Sequence, residues 1–152
     1  MESKQLTTDP VYTLAVASRL SGIPTHSIRQ YIDKGLILPY VTKTKRHLFS
    51  EIDIERLINI KKYINDGLNI AGIRSLYAQI PGFLINECQE KNCNVCESFL
   101  QANIPCWIAN KDKVKCGNKD CHNCDVYKMT NPVVDLRKYL VKIKKQGTHS
   151  ID

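Results

Sequence analysis

All seven Cys residues lie between Cys88 and Cys124, with none before and none after. A chain that confines its thiols to one short segment is more constrained by that segment than by anything else in its composition. The N-terminus, MESKQLTTDP, has no apolar core of a secretory signal, and no apolar run is long enough to span a bilayer, so a cytoplasmic protein with reduced thiols and no membrane partner is expected. In that setting clustered Cys residues read as metal ligands before disulfides, and an odd number of them cannot all pair. The spacing is internally repeated: Cys88-x4-Cys93-x2-Cys96 recurs as Cys116-x4-Cys121-x2-Cys124, with Cys106 between the two triplets in Ile104-Pro105-Cys106-Trp107. A Cys-x2-Cys turn brings two sulfurs to one ion, and the earlier Cys of each triplet is spaced to add a third. The most economical tetrad is Cys106, Cys116, Cys121 and Cys124. Cys88, Cys93 and Cys96 then need a fourth ligand from His122, water or a partner chain. Two centres fit: zinc in a thiolate tetrahedron, which would knit together a small polar segment, or an iron–sulfur cluster, whose plant-type spacing the first triplet plus Cys106 follows in order. Free thiols or regulatory disulfides are the remaining readings. His122 is expected to point to solvent, and Trp107, the only Trp, to cover the site.

Charge divides the chain differently. Residues 1–80 hold 11 basic and 7 acidic side chains, residues 81–130 hold 6 and 6, and residues 131–152 hold 5 and 2. The basic excess thus lies outside the Cys segment, as polyanion binding by the first part would require.

The first eighty residues read as a helical head. Val11-Tyr12-Thr13 is a β-prone stub, and Thr13 caps a helix over about Leu14–Leu20, with Leu14, Val16, Ala17 and Leu20 as its buried face. Gly22-Ile23-Pro24 breaks it. A second helix runs from Pro24 or Thr25 to about Lys34, with Gly35 as a left-handed stop. Such a pair is a helix-turn-helix candidate or a plain helical hairpin. After the apolar exit Leu36–Pro39, residues 40–49 alternate β-formers with basic side chains, the pattern of a two-stranded wing with a cationic tip. Ser50 opens a third helix with an imperfect capping box to Asp53. Its apolar stripe is Ile52, Leu57, Ile60 and Ile64. Asn69 caps a fourth helix with Ile70, Ile73, Leu76 and Tyr77 inward.

In this order the residues resemble the winged helix-turn-helix domain of MerR-family transcriptional regulators. The run SGIPTHSIRQYIDKGLILP, Ser21–Pro39, parallels that family's Gly-aliphatic turn, its helix with Leu/Ile-Arg-x-Tyr, and its Lys-Gly-Leu-x-x-Pro exit. Phe49-Ser50-Glu51-x-Asp53-Ile54-x-Arg56-Leu57 matches the pattern after the wing, and Gly67–Arg74 is similar to the heat-shock-repressor (HspR-like) and glutamine-synthetase-repressor branches. His26, Gln30, Ile32 and Lys45-Arg46-His47 depart from the family's usual residues, so its base preferences do not carry over. Because a helix N-terminus reaches base edges in the major groove, Thr25, His26, Arg29 and Gln30 are candidate DNA contacts. Arg29 suits a guanine edge or a phosphate, and Gln30 an adenine edge unless it is simply solvated. Tyr31 is a backbone contact by resemblance, or a core-edge Tyr. Lys43, Lys45 and Arg46 on the wing suit phosphates.

At the other end, Asn131-Pro132 starts a helix whose Val133, Leu136, Leu140 and Ile143 form an a/d stripe, either packed on its own chain or forming a dimer seam, for which the Cys segment itself is the other candidate. The sequence therefore predicts a mainly α chain: a flexible N-terminus (1–10), a winged helix-turn-helix domain (11–82), a Cys-rich metal-binding module (83–130), and a C-terminal amphipathic helix and tail (131–152). The resemblance implies a non-enzymatic, dimeric regulator that binds double-stranded DNA and meets RNA polymerase at a promoter, its iron–sulfur or zinc centre sensing redox state or metal. The alternatives are a DNA-binding regulator with purely structural zinc and, further off, an electron-transfer iron–sulfur protein. No nucleotide loop, Ser/His/Asp set or paired carboxylates point to an enzyme.

Overall fold

The computed structural model describes residues 6–80, 104–109 and 121–147. Cys88, Cys93, Cys96 and Cys116, and with them one ligand of the economical tetrad, lie outside the described residues.

The described chain is mainly helical around a three-stranded antiparallel sheet. Strand β1 (Tyr12–Thr13) leads into α1 (Leu14–Ser21), where Thr13 Oγ1 accepts from Val16 N–H at 3.3 Å. Gly22, at φ 72°, ends that helix, and α2 (Thr25–Asp33) follows. Strands β2 (Tyr40–Val41) and β3 (His47–Phe49) make the wing. The sheet order is β1-β3-β2, with Tyr12 opposite Phe49 and Tyr40 opposite Leu48. Helix α3 (Glu51–Asn65) starts at a complete capping box: Ser50 Oγ accepts from Asp53 N–H, and Asp53 Oδ2 accepts from Ser50 N–H at 2.9 Å. Asp in place of the usual Glu or Gln closes both arms. Asn69 caps α4 (Ile70–Ala78) through a 2.8 Å bond from Gly72 N–H. Then come the short α5 (Cys106–Ala109), a 3-10 turn at Cys121–Asn123, α6 (Asp125–Lys128) and the long α7 (Pro132–Gly147).

Ala17, Ile28, Leu36, Phe49, Leu57, Ile60 and Ile73 are fully buried in one core, and each Ile, Leu or Phe side chain there contributes roughly 1.5–3 kcal/mol of burial. Of the expected inward residues, Val16 and Leu76 are only half-buried, and two are exposed. Leu20 is 49% exposed and Ile64 36% exposed, because each sits at the solvent edge of its helix stripe. Trp107, Val126 and Tyr127, from the segment read as a separate module, belong to the same core cluster as the head. Within the stretch read as a flexible N-terminus, Thr7 N–H bonds Glu51 Oε2 at 3.0 Å and Thr8 Oγ1 bonds Asn123 Oδ1 at 2.6 Å.

Gly35 carries one of the tightest constraints. Its φ is +77°, as a left-handed helix stop requires, and a Cβ placed there would lie 1.9 Å from Ile108 Cδ1. Gly35→Ala combines backbone strain with a side-chain collision, so a loss of about 1–3 kcal/mol is expected in urea denaturation. Gly67, with φ +102° and no heavy atom near its Cβ position, provides the comparison in which backbone strain acts alone.

Candidate nucleic-acid interface

The rotation of α2 is set by what it buries. Ile28 and Tyr31 face the core, which turns His26, Arg29 and Gln30 outward on the opposite side, with Thr25 half-buried at the helix start. Of the two readings of Tyr31, its 7% exposure places it at the core edge, and burial raises its phenol above the ordinary range. The α2 N-terminus has no side-chain cap. Instead Pro24 C=O accepts from Ser27 N–H at 3.0 Å and Ile28 N–H at 3.1 Å.

The wing tip is a compact hydrogen-bonded loop. Thr42 N–H donates to Arg46 C=O at 2.9 Å, Lys45 N–H to Thr42 C=O at 2.9 Å, and Arg46 N–H to Thr42 Oγ1 at 3.1 Å. Lys45 adopts φ 62°, a left-handed conformation uncommon outside Gly. These bonds satisfy the loop backbone and leave Lys43, Lys45 and Arg46 exposed at the tip. The head therefore offers two separate cationic or polar surfaces, the outer face of α2 and the wing.

Between them runs the connector, residues 34–39, and it is held from outside the head. Trp107 Nε1–H donates to Gly35 C=O at 2.8 Å. Leu38 N–H donates to Tyr127 Oη at 2.7 Å, and Leu38 C=O lies 3.3 Å from the same oxygen. His122 Nε2 is 3.3 Å from Pro39 C=O, and its ring stacks on Tyr40 with centroids 3.8 Å apart. The expectation that His122 faces solvent is thus corrected: stacking against the first wing strand draws it in to half-buried. Trp107 covers the head's interior, where its ring meets Tyr127 edge-on at 5.2 Å and Tyr77 at 6.0 Å.

Beneath the connector lies a buried charge constellation absent from the sequence reading. The guanidinium of Arg56, wholly buried in α3, stands 4.1 Å from the Tyr127 ring centroid, 4.4 Å from that of Tyr77 and 4.7 Å from that of Trp107. Its Nη2 donates to Tyr127 C=O, while Nε and Nη1 have no hydrogen-bond partner among the described residues. The three ring faces are its principal stabilisation, a cation–π arrangement strengthened by exclusion of water. Asp53, one turn earlier, accepts from Tyr127 Oη–H at 2.6 Å. Burial raises the Asp53 carboxyl above its usual range, against the lowering effects of Ser50, Tyr127 and Arg56. Ile52, Arg56 and Ile60 share one helix face at intervals of four, so a charged residue inside an apolar stripe was the available signal.

Burial pushes the Tyr77 phenol up to about 12, with Arg56 opposing the rise. Tyr127 is raised well above its ordinary value by burial first and then by the Asp53 charge. Both phenols are therefore neutral in the fold at a pH where the unfolded chain ionises them. Their stabilising contribution is complete below pH 10 and is lost as pH climbs toward 12, by about 2–3 kcal/mol for Tyr77. Urea midpoints at pH 8, 10 and 11 should fall accordingly, and Tyr77→Phe should flatten the fall.

Cys106, Cys121 and Cys124 are half-buried and pack against the common core. Cys124 N–H donates to Cys121 C=O at 3.1 Å, closing the expected Cys-x2-Cys turn. Among the described residues no three His, Cys, Asp or Glu side chains are grouped to hold a metal ion, and Cys116 lies outside them. No helix among the described residues is long and apolar enough to cross a membrane.

Residues 12–80 match the family model of MerR HTH family regulatory proteins. Over 67 residues, 44% of this chain and 52% of the relative, the chain is 34% identical to the HTH-type transcriptional regulator GlnR of Bacillus anthracis, with the same values for GlnR of Bacillus cereus. Over 74 residues, 47% of this chain and 49% of the relative, it is 39% identical to the putative heat shock protein HspR of Streptomyces coelicolor. The chain spans about half the length of the curated relatives it matches.

Proposed function

We propose that this chain, whose residues 12–80 are a MerR-type helix-turn-helix domain, is a sequence-specific transcriptional regulator of double-stranded DNA in the cytoplasm. The observation that carries the reading is the pairing of surfaces: Arg29 and Gln30 turned outward on α2, and Lys43, Lys45 and Arg46 exposed on a well-bonded wing. The helix reads base edges and the wing anchors on phosphates. The name of the similar GlnR proteins, HTH-type transcriptional regulators, supports regulation over catalysis.

The active form is a homodimer. Its seam is α7, where Val133, Val134, Leu140 and Val141 are 41–54% exposed in the single chain. Pairing would remove these side chains from water and set two heads over two half-sites near RNA polymerase.

The Cys-rich segment holds a metal centre in which Cys121 and Cys124 are one ligand pair, with Cys88, Cys93, Cys96, Cys106 and Cys116 as the pool for the remaining ligands, since Cys106 is not grouped with that pair among the described residues. The all-thiolate donors and the Cys121–Cys124 turn fit a thiophilic ion or cluster. Such a centre supplies cross-linking and, as an iron–sulfur cluster, one-electron redox chemistry through which the regulator would sense oxidants. A structural zinc is the second reading, favoured by how firmly Trp107 and Tyr127 are built into the head's core.

Selection from a random duplex pool tests the DNA reading: a defined sequence should be enriched, and failure to enrich any would refute it. Metal analysis and an absorption spectrum of anaerobically purified protein decide the centre. A brown, iron-containing protein supports sensing, a colourless zinc protein supports the structural role, and a metal-free protein that folds and binds DNA normally excludes both.

A further inference from the structure

We infer that Trp107 and Tyr127 are positioning residues for DNA recognition: from within the Cys-rich segment of the same chain, they set where the recognition helix stands relative to the wing. The inference rests on the DNA-binding reading above. Helix α2 and the wing must meet the duplex together, one in the groove and one on the backbone. The only covalent tie between them is residues 34–39, which form neither helix nor strand. A free connector of that kind would leave the two surfaces in many relative poses, and ordering it would be charged against binding.

The connector is not free, and the bonds that fix it divide into two sets. The head's own bonds hold the helix end: Lys34 N–H to Gln30 C=O, Gly35 N–H to Ile32 C=O and Leu36 N–H to Tyr31 C=O, at 2.9–3.0 Å. The bonds at Gly35 C=O and Leu38 N–H come from Trp107 and Tyr127. Ile108, next to Trp107, fills the space that a side chain at Gly35 would need. Both anchors rest on the Arg56 guanidinium, and Tyr127 is also tied to Asp53. They are thus referenced to α3, the rigid body of the head. Two side chains, one next to Cys106 and one three residues after Cys124, thus add to the core burial of Leu36 and Ile37 in holding helix, wing and α3 in one frame. A change at those two Cys side chains has a short path to the DNA-reading surfaces, within one protomer.

The test compares Trp107→Phe and Tyr127→Phe with Tyr77→Phe in the full chain. Tyr77 belongs to the same aromatic cage, but its hydroxyl bonds Thr130 C=O at 2.9 Å and not the connector. All three variants lose a hydrogen bond, buried for Tyr127 and Tyr77 and part-buried for Trp107, and so lose stability. Trp107→Phe and Tyr127→Phe should weaken binding to the duplex enriched by the wild-type chain by about tenfold each, leave binding to a scrambled duplex within twofold, and Tyr127→Phe should speed amide exchange at Leu38. Tyr77→Phe should keep selected-duplex affinity within twofold. Should Tyr127→Phe fold poorly, Trp107→Phe carries the test, since it keeps an aromatic ring against Arg56. Equal loss in all three variants, or no loss in Trp107→Phe, overturns the inference. A wild-type chain that enriches no duplex overturns instead the reading on which it rests.

Discussion

Arg56→Ala should destabilise the protein by about 3–5 kcal/mol, more than any other single substitution considered for the head. The change empties the centre of a cage walled by Tyr77, Trp107 and Tyr127 and leaves Tyr127 C=O without its donor. It also strands the buried Asp53 carboxyl without its nearby cation. Lys in its place should recover only part of the loss, because an ammonium cannot present a flat surface to three rings as a guanidinium does. Urea denaturation of the two variants measures both effects. A loss under 1 kcal/mol for Arg56→Ala would mean that the cage is not a principal support of the fold.

The second large effect concerns affinity. Replacing Lys43, Lys45 and Arg46 together with Ala removes the cationic tip of the wing while sparing the Thr42 bonds that shape it, since Lys45 and Arg46 contribute only backbone N–H and C=O groups to them. If each side chain neutralises one phosphate, the log–log salt slope should flatten by roughly 2–3 and affinity near 0.1 M salt should fall on the order of 10²-fold. Because phosphate contacts carry no sequence information, selected and scrambled duplexes should lose affinity alike. Fluorescence anisotropy across a salt series reports both quantities. An unchanged slope would remove the wing from the interface.

Much of the head was legible in the chain because its signals are local. Thr13, Ser50 and Asn69 each cap the helix they precede, and Gly22 and Gly35 take the positive φ that ends a helix. The alternation over residues 40–49 gave the wing, whose strands pair as Tyr40 with Leu48. Thr25, His26, Arg29 and Gln30 were legible from their position in the first part of α2, whereas the rotation that turns His26, Arg29 and Gln30 outward comes from the burial of Ile28 and Tyr31.

What escaped the sequence is long-range. Nothing local to Tyr127 indicates that its hydroxyl meets Leu38 and Asp53, 89 and 74 residues earlier. Arg56 entered the sequence reading only as part of the motif after the wing, because a charged side chain is seldom buried; only the arrival of Trp107 and Tyr127 makes its burial tolerable. The same docking explains why His122 stacks on Tyr40. Leu20 and Ile64 missed the core for the opposite reason: their helices are partnered on one side only, and the edge of each stripe stays in water.

The most direct measurement is the affinity of the intact chain for its selected duplex against a scrambled duplex of the same length and composition, at one fixed salt concentration. A helix that reads base edges and a wing that holds phosphates predict discrimination of at least about 10³-fold. Equal affinity for the two duplexes would contradict sequence-specific recognition by α2.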